Sequence, residues 1–167
     1  MTIAELNSLD PGALRESLGR CCGAGAWIEK MLSVFPVSGK DVVFAEAEKV
    51  WYSCAEKDWR EAFDHHPRIG DLEGLKKKFA ATGQWAAGEQ AGVQDASEKV
   101  LEELASGNKA YEEKFGYIFI VCATGLPAAS MLSQLEERLG NSPELEILIA
   151  MGEQNKITRI RLEKLLS

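Results

Sequence analysis

The sequence is short of the residues that would tie it to a metal, a membrane or a nucleic acid. Its four cysteines, Cys21, Cys22, Cys54 and Cys122, form no C-x-x-C pair. Adjacent Cys21 and Cys22 cannot easily bridge to each other, so reduced thiols in a reducing compartment are expected. There are two histidines, and they are neighbours, His65 and His66. Neighbouring side chains diverge, and a structural zinc needs about four ligands at recognisable spacing, so no metal centre is expected. No apolar run approaches the ~18 residues of a membrane-spanning helix. No charged leader with an apolar core opens the chain, and Lys164-Leu165-Leu166-Ser167 is not a peroxisomal Ser-Lys-Leu ending. A cytoplasmic location is the resulting expectation. Positive charge is scarce as well: 19 Lys and Arg against 26 Asp and Glu leave a net charge of −7. Non-specific attraction to nucleic-acid phosphates or anionic lipid is therefore not expected. An anionic small substrate would need a local cationic pocket working against the overall field.

What is present suits one soluble globular domain over residues 1–167. Hydrophobic residues make up 46% and charged residues 27% of the chain, enough for a core of ordinary size. Internal repeats, low-complexity segments and linkers are lacking. Thr2 with Glu5 fits a capping box, and Asp10 before Pro11 fits an N-cap followed by a favoured first helical position. Trp27, Ile28, Met31 and Leu32 recur at helical spacing, Pro36 to Gly39 is a break, and Val43, Ala47, Val50, Trp51 and Cys54 form one helical stripe. A short segment around Trp59 to Phe63 leads into His65-His66-Pro67-Arg68-Ile69-Gly70-Asp71, a loop or element junction. Helical stretches are expected over Leu72 to Ala81, from about Gly88 to Ser106, up to Leu139, and from Pro143 onward. Gly107-Asn108 reads as punctuation. The run from Tyr111 to Ala123 has a centre, Tyr117 to Cys122, rich in aromatic and β-branched residues, but no other segment makes a convincing partner strand, so the run is assigned to a buried helix. In the last helix Leu145, Leu148, Ile149, Ile157, Ile160 and Leu165 are expected to face mainly inward. The fold class is all-α: a single-domain compact helical bundle of about eight or nine helices.

Three features could carry chemistry. An imidazole is the side chain best placed to exchange a proton at neutral pH, and the junction at Pro67 and Gly70 constrains the backbone that presents His66. The alternative is a surface His-His pair without a role. Glu89-Gln90 combines an acceptor-only carboxylate with an amide that both donates and accepts, apt for a ring bearing urea-like groups. A carboxylate near a helix start is also stabilising without any ligand. Arg159 and Arg161 in the last helix are either a solvated basic face or, at one position, a two-pronged carboxylate clamp.

Taken together, the chain resembles the OHCU decarboxylases, which act on 2-oxo-4-hydroxy-4-carboxy-5-ureidoimidazoline. The resemblance rests on His66-Pro67-Arg68-Ile69-Gly70-Asp71 and on Glu89-Gln90-Ala91-Gly92. It rests also on Asn108, Tyr111 and Lys114-Phe115-Gly116-Tyr117 with Phe119-Ile120-Val121-Cys122. The last block is Arg138-Leu139, Asn141, Glu144, Ile157-Thr158 and Arg161-Leu162. These blocks stand in the family's order across nearly the whole chain.

The resemblance implies an all-helical homodimer without metal or organic cofactor that produces (S)-allantoin and CO2. It implies that His66 is the catalytic proton donor and that Glu89 belongs to the catalytic site. Pro67, Glu89, Gln90 and the main chain of Phe119, Ile120, Val121, Cys122 and Ala123 become substrate contacts, with Arg161 rather than Arg159. His65 inherits nothing. The family commonly has a serine three residues before the glutamate, where this chain has Ala86, so that contact falls to backbone or water. Two other readings stand beside this one: a helical scaffold with an acidic surface, and a metal-dependent hydrolase using His65, His66 and Asp71.

Overall fold

The computed structural model describes residues 1–68, 71–81 and 91–167, with side chains described except at 80, 81 and 91–96. Among the described residues there are nine helices and no strand. In order they are α1 (Ile3–Ser8), α2 (Pro11–Cys21), α3 (Gly25–Leu32), α4 (Lys40–Tyr52), α5 (Glu56–Asp64), α6 (Leu72–Ala81), α7 (Ala91–Phe115), α8 (Ala128–Leu139) and α9 (Pro143–Leu165). The chain divides into two compact units. One is Met1–His66 with Met151–Ser167, and the other is Pro67–Ala150.

The first unit is built on well-marked helix starts. Thr2 and Glu5 form the expected capping box on α1, and the Asp10 carboxylate accepts from the Gly12 and Ala13 amides at the start of α2. These bonds satisfy amides that a helix cannot pair internally. The core comprises Leu6, Leu14, Leu18, Trp27, Met31, Val43, Ala47, Val50, Trp51, Ala62 and Leu162. Its large indoles are seated at both ends: Trp27 Nε1 donates to Ala47 O at 3.0 Å, and Trp51 Nε1 donates to Met151 O at 2.8 Å. Burying indole rings with their N–H groups paired gains apolar area without stranding a donor. Asn7 exchanges two hydrogen bonds with the main chain of Val37, pinning the break between α3 and α4.

In the second unit Leu75, Phe79, Leu101, Leu104, Tyr111, Phe115, Met131, Leu132 and Leu135 are buried. Gly107 is no punctuation here but lies inside α7. A Cβ at this position would stand 2.7 Å from Leu135 Cδ2, so the glycine allows α8 its close approach.

Two further expectations are overturned. Tyr111 to Phe115 belongs to α7 as expected, but residues 117–122 are not helical. Gly116 ends α7 with φ +79°, its amide closing on Glu112 O at 2.9 Å, as a left-handed C-terminal glycine does. The chain then runs irregularly to α8, and its carbonyls find side-chain partners: Arg138 Nη1 donates to Ile120 O at 2.8 Å. A side chain thus satisfies a backbone carbonyl where neither a helix nor a strand ladder does.

The inward face of α9 also differs from expectation. Leu145 and Leu148 are about half exposed, at 48% and 51%. Glu146, Ala150, Gln154, Thr158 and Leu162 are buried instead, one residue every four along one stripe. Three of these five are polar, so hydrophobicity misjudges which side of the helix is covered.

Candidate active site

His66 stands where α5 has to stop. Ala62 and Phe63 bury the end of that helix, and the amides of His65 and His66 fold back onto Ala62 O and Phe63 O. Pro67 follows, and its ring disfavours helical geometry at His66. The neighbouring His65 is exposed, and its ring lies against Gly23. A Cβ on Gly23 would come within 2.3 Å of His65 Cγ. His65 thus packs the junction from outside while His66 points into half-buried surroundings.

There His66 Nε2 meets Gln154 Oε1 at 2.5 Å. Gln154 and Thr158 are almost fully buried, 1% and 3% exposed. The Gln154 amide is itself held, because Nε2 donates to Thr158 Oγ1 at 3.1 Å. Gln154, Thr158 and Arg161 share one face of α9 because four- and seven-residue steps bring side chains into line. Arg161 Nη1 donates to Cys21 O at 3.3 Å, a carbonyl of the last turn of α2. Such carbonyls lack helical partners and carry the negative end of the helix dipole. By contrast, Arg159 is exposed, pairs with Glu163 at 3.2 Å and lies over the Phe44 ring.

Burial pushes the His66 pKa below its ordinary value, and the Arg161 and His65 charges push the same way against the opposing bond to Gln154. The imidazole is therefore neutral at physiological pH. Burial raises the Cys21 and Cys22 thiols to about 11 and about 12. Neither supplies a thiolate near pH 7, and none of the four cysteines is in a disulfide.

The second unit holds Arg68 in an ion pair with Glu112 at 2.6 Å. Asp71, a candidate metal ligand in the hydrolase reading, caps α6 by accepting from the Gly74 amide at 2.6 Å. Among the described residues no three His, Cys, Asp or Glu side chains gather as a metal ion would need. Of the irregular run, Ile120 is buried, while Phe119, Val121, Cys122 and Ala123 are partly exposed. Ala86, Glu89 and Gln90, together with Ile69 and Gly70 of the histidine block, lie outside the described residues.

Sequence reasoning missed Gln154. The available signal was the pairing of Gln154 with Thr158, four residues apart and in phase with Ala150 and Leu162.

In this all-helical fold the half-buried His66 imidazole is thus held by the Gln154 carboxamide, with Arg161 on the same face of α9. The particular family follows from sequence: the model for OHCU decarboxylase matches residues 7–163, and the chain belongs to that family. Among its relatives is the uric acid degradation bifunctional protein TTL of Arabidopsis thaliana, 35% identical over 148 residues, covering 88% of this chain and 45% of that protein. Another is the 2-oxo-4-hydroxy-4-carboxy-5-ureidoimidazoline decarboxylase of Halalkalicoccus jeotgali, 23% identical over 166 residues, covering 99% and 92%. A crystal structure of OHCU decarboxylase in the presence of (S)-allantoin superposes with a TM-score of 0.70 at 36% identity, covering 89% of this chain and 95% of that one. The chain spans between a third and somewhat over half the length of the first curated relatives it matches.

Proposed function

We propose that this chain decarboxylates 2-oxo-4-hydroxy-4-carboxy-5-ureidoimidazoline to (S)-allantoin and CO2 in uric acid degradation, with His66 as the proton donor. The observation that carries the reading is the family match over residues 7–163, together with a half-buried His66 at the family's histidine-proline block.

Breaking the bond to the carboxylate releases CO2 and leaves an electron pair on the ring carbon. The adjacent ring C=N or C=O accepts that pair, so the ring performs the role an electron-sink cofactor would otherwise fill. The imidazolium of His66 then gives its proton to the carbon and returns to imidazole, which solvent reprotonates. The charges balance: one cation and one carboxylate become neutral imidazole, a C–H bond and CO2. His66 rests neutral, so the substrate must itself promote protonation. A carboxylate ~4 Å away contributes about 1–4 kcal/mol for effective dielectrics between that of water and ~20. That corresponds to about one to three pKa units. Binding the anion thus arms the acid, and delivery to one face of the planar intermediate sets the (S) configuration.

Arg161 anchors an oxygen substituent of the substrate. Too firm a grip on the departing carboxylate would stabilise the ground state and raise the barrier. Following the family pattern, Glu89 and Gln90 orient the ureido edge, with Pro67 and the main chain of Phe119 to Ala123 as further contacts. With Ala86 in place of serine, backbone or water supplies that hydrogen bond. A homodimer in the cytoplasm completes the reading. The half-exposed Leu145 and Leu148 on α9 support the dimer, and sedimentation velocity tests it.

The test is optical assay of (S)-allantoin from freshly generated substrate, against spontaneous decay. His66→Ala should lower turnover roughly 10²-fold or more, the scale of a lost general acid, while remaining folded. His65→Ala should be mild. Near-normal turnover in the His66 variant, or equal damage at both positions, overturns the assignment.

A further inference from the structure

We propose that Gln154 is a positioning residue that commits His66 to the Nε2–H tautomer and so makes Nδ1 the nitrogen that gives and takes the catalytic proton. The proposal rests on the proton-donor reading of His66.

The argument runs along the hydrogen-bonded chain in α9. Gln154 Nε2 donates to Thr158 Oγ1 at 3.1 Å. That orientation leaves Oε1 facing His66 Nε2 at 2.5 Å. A carboxamide oxygen has no hydrogen to give, so the imidazole nitrogen must carry one.

Two properties make this pair an orienter rather than a proton wire. Its members are buried, with Gln154 1% and Thr158 3% exposed. A carboxamide does not titrate, so no proton passes through it. The bond from Nε2–H to Oε1 therefore persists in both charge states of His66. The proton comes and goes at Nδ1 without any side chain having to turn, which is preorganisation in the useful sense.

The experiment uses the full chain labelled with 15N-histidine, in which only His65 and His66 give signals and the His66→Ala variant assigns them. Long-range 1H–15N spectra above the His66 titration should show a protonated Nε2 and an unprotonated Nδ1. Gln154→Leu should lower kcat roughly 10–100-fold, the scale of a misplaced catalytic group, with KM little changed. Gln154→Glu keeps the acceptor and adds a charge, so it should hold the tautomer and move the alkaline limb of the kcat profile up by about one to three units. A protonated Nδ1 in the wild type overturns the proposal, as does a Gln154→Glu profile that does not move. Should neither variant fold, the wild-type spectrum alone decides. Normal turnover in His66→Ala with Nε2 protonated would instead sink the proton-donor reading and leave the tautomer standing.

Discussion

Replacing Arg138 by Met should be among the most destabilising single changes in the second unit. Arg138 and Glu146 are buried, with side chains 8% and 0% exposed, and Arg138 Nη2 lies 2.6 Å from Glu146 Oε1. Arg138 Nε adds a bond at 2.7 Å to the same oxygen. Removing one member of a buried pair leaves an uncompensated charge and typically costs about 3–5 kcal/mol. Two features of this site shift the value within that range. Glu146 keeps the Tyr111 hydroxyl at 2.5 Å and Asn141 Nδ2 at 2.9 Å, which softens the loss. Against that, the variant gives up the bond to Ile120 O and the guanidinium 4.5 Å from the Phe119 ring centroid, the latter contributing about 0.5–2 kcal/mol. We expect about 4 kcal/mol in total, which for a chain of this size lowers the melting temperature by roughly 8–16 °C. Thermal unfolding followed by circular dichroism at neutral pH measures it. Arg138→Met combined with Glu146→Gln should regain more than half of the loss, because the stranded charge is then gone. A single variant melting within about 2 °C of wild type would refute the reasoning.

Stability should also respond to pH through His66. Its folded pKa is lowered from 6.5 by burial, so the unfolded chain binds more protons and stability is lost as pH falls below about 6.5. Urea midpoints at about pH 7.5 and about 5.5 should therefore fall further for wild type than for His66→Gln; equal slopes would exclude this contribution. Since the proposed chemistry assigns every step to the ring and to this chain's side chains, prolonged treatment with a strong chelator should leave turnover unchanged, and a loss restored by added zinc would revive the hydrolase reading.

The sequence by itself determined most of the helices. Caps at Thr2 and Asp10, the stripe from Val43 to Trp51, the break at Pro36 and the start at Pro143 are local signals, and local backbone chemistry decides where helices begin and end. It also singled out His66 and preferred Arg161 over Arg159, by resemblance to a family rather than from pattern. Tertiary structure decided what local signals cannot carry. Gly107 sits mid-helix because α8 presses Leu135 against it. Tyr117 to Cys122 abandons regular structure because a distant arginine supplies a partner for Ile120 O. On α9 the covered face carries Glu146, Gln154 and Thr158 while two leucines face outward. A polar group can be buried wherever its hydrogen bonds are met. Which partners meet them depends on residues far off in the sequence, as with His66 and Gln154, and periodicity along one helix has no access to that.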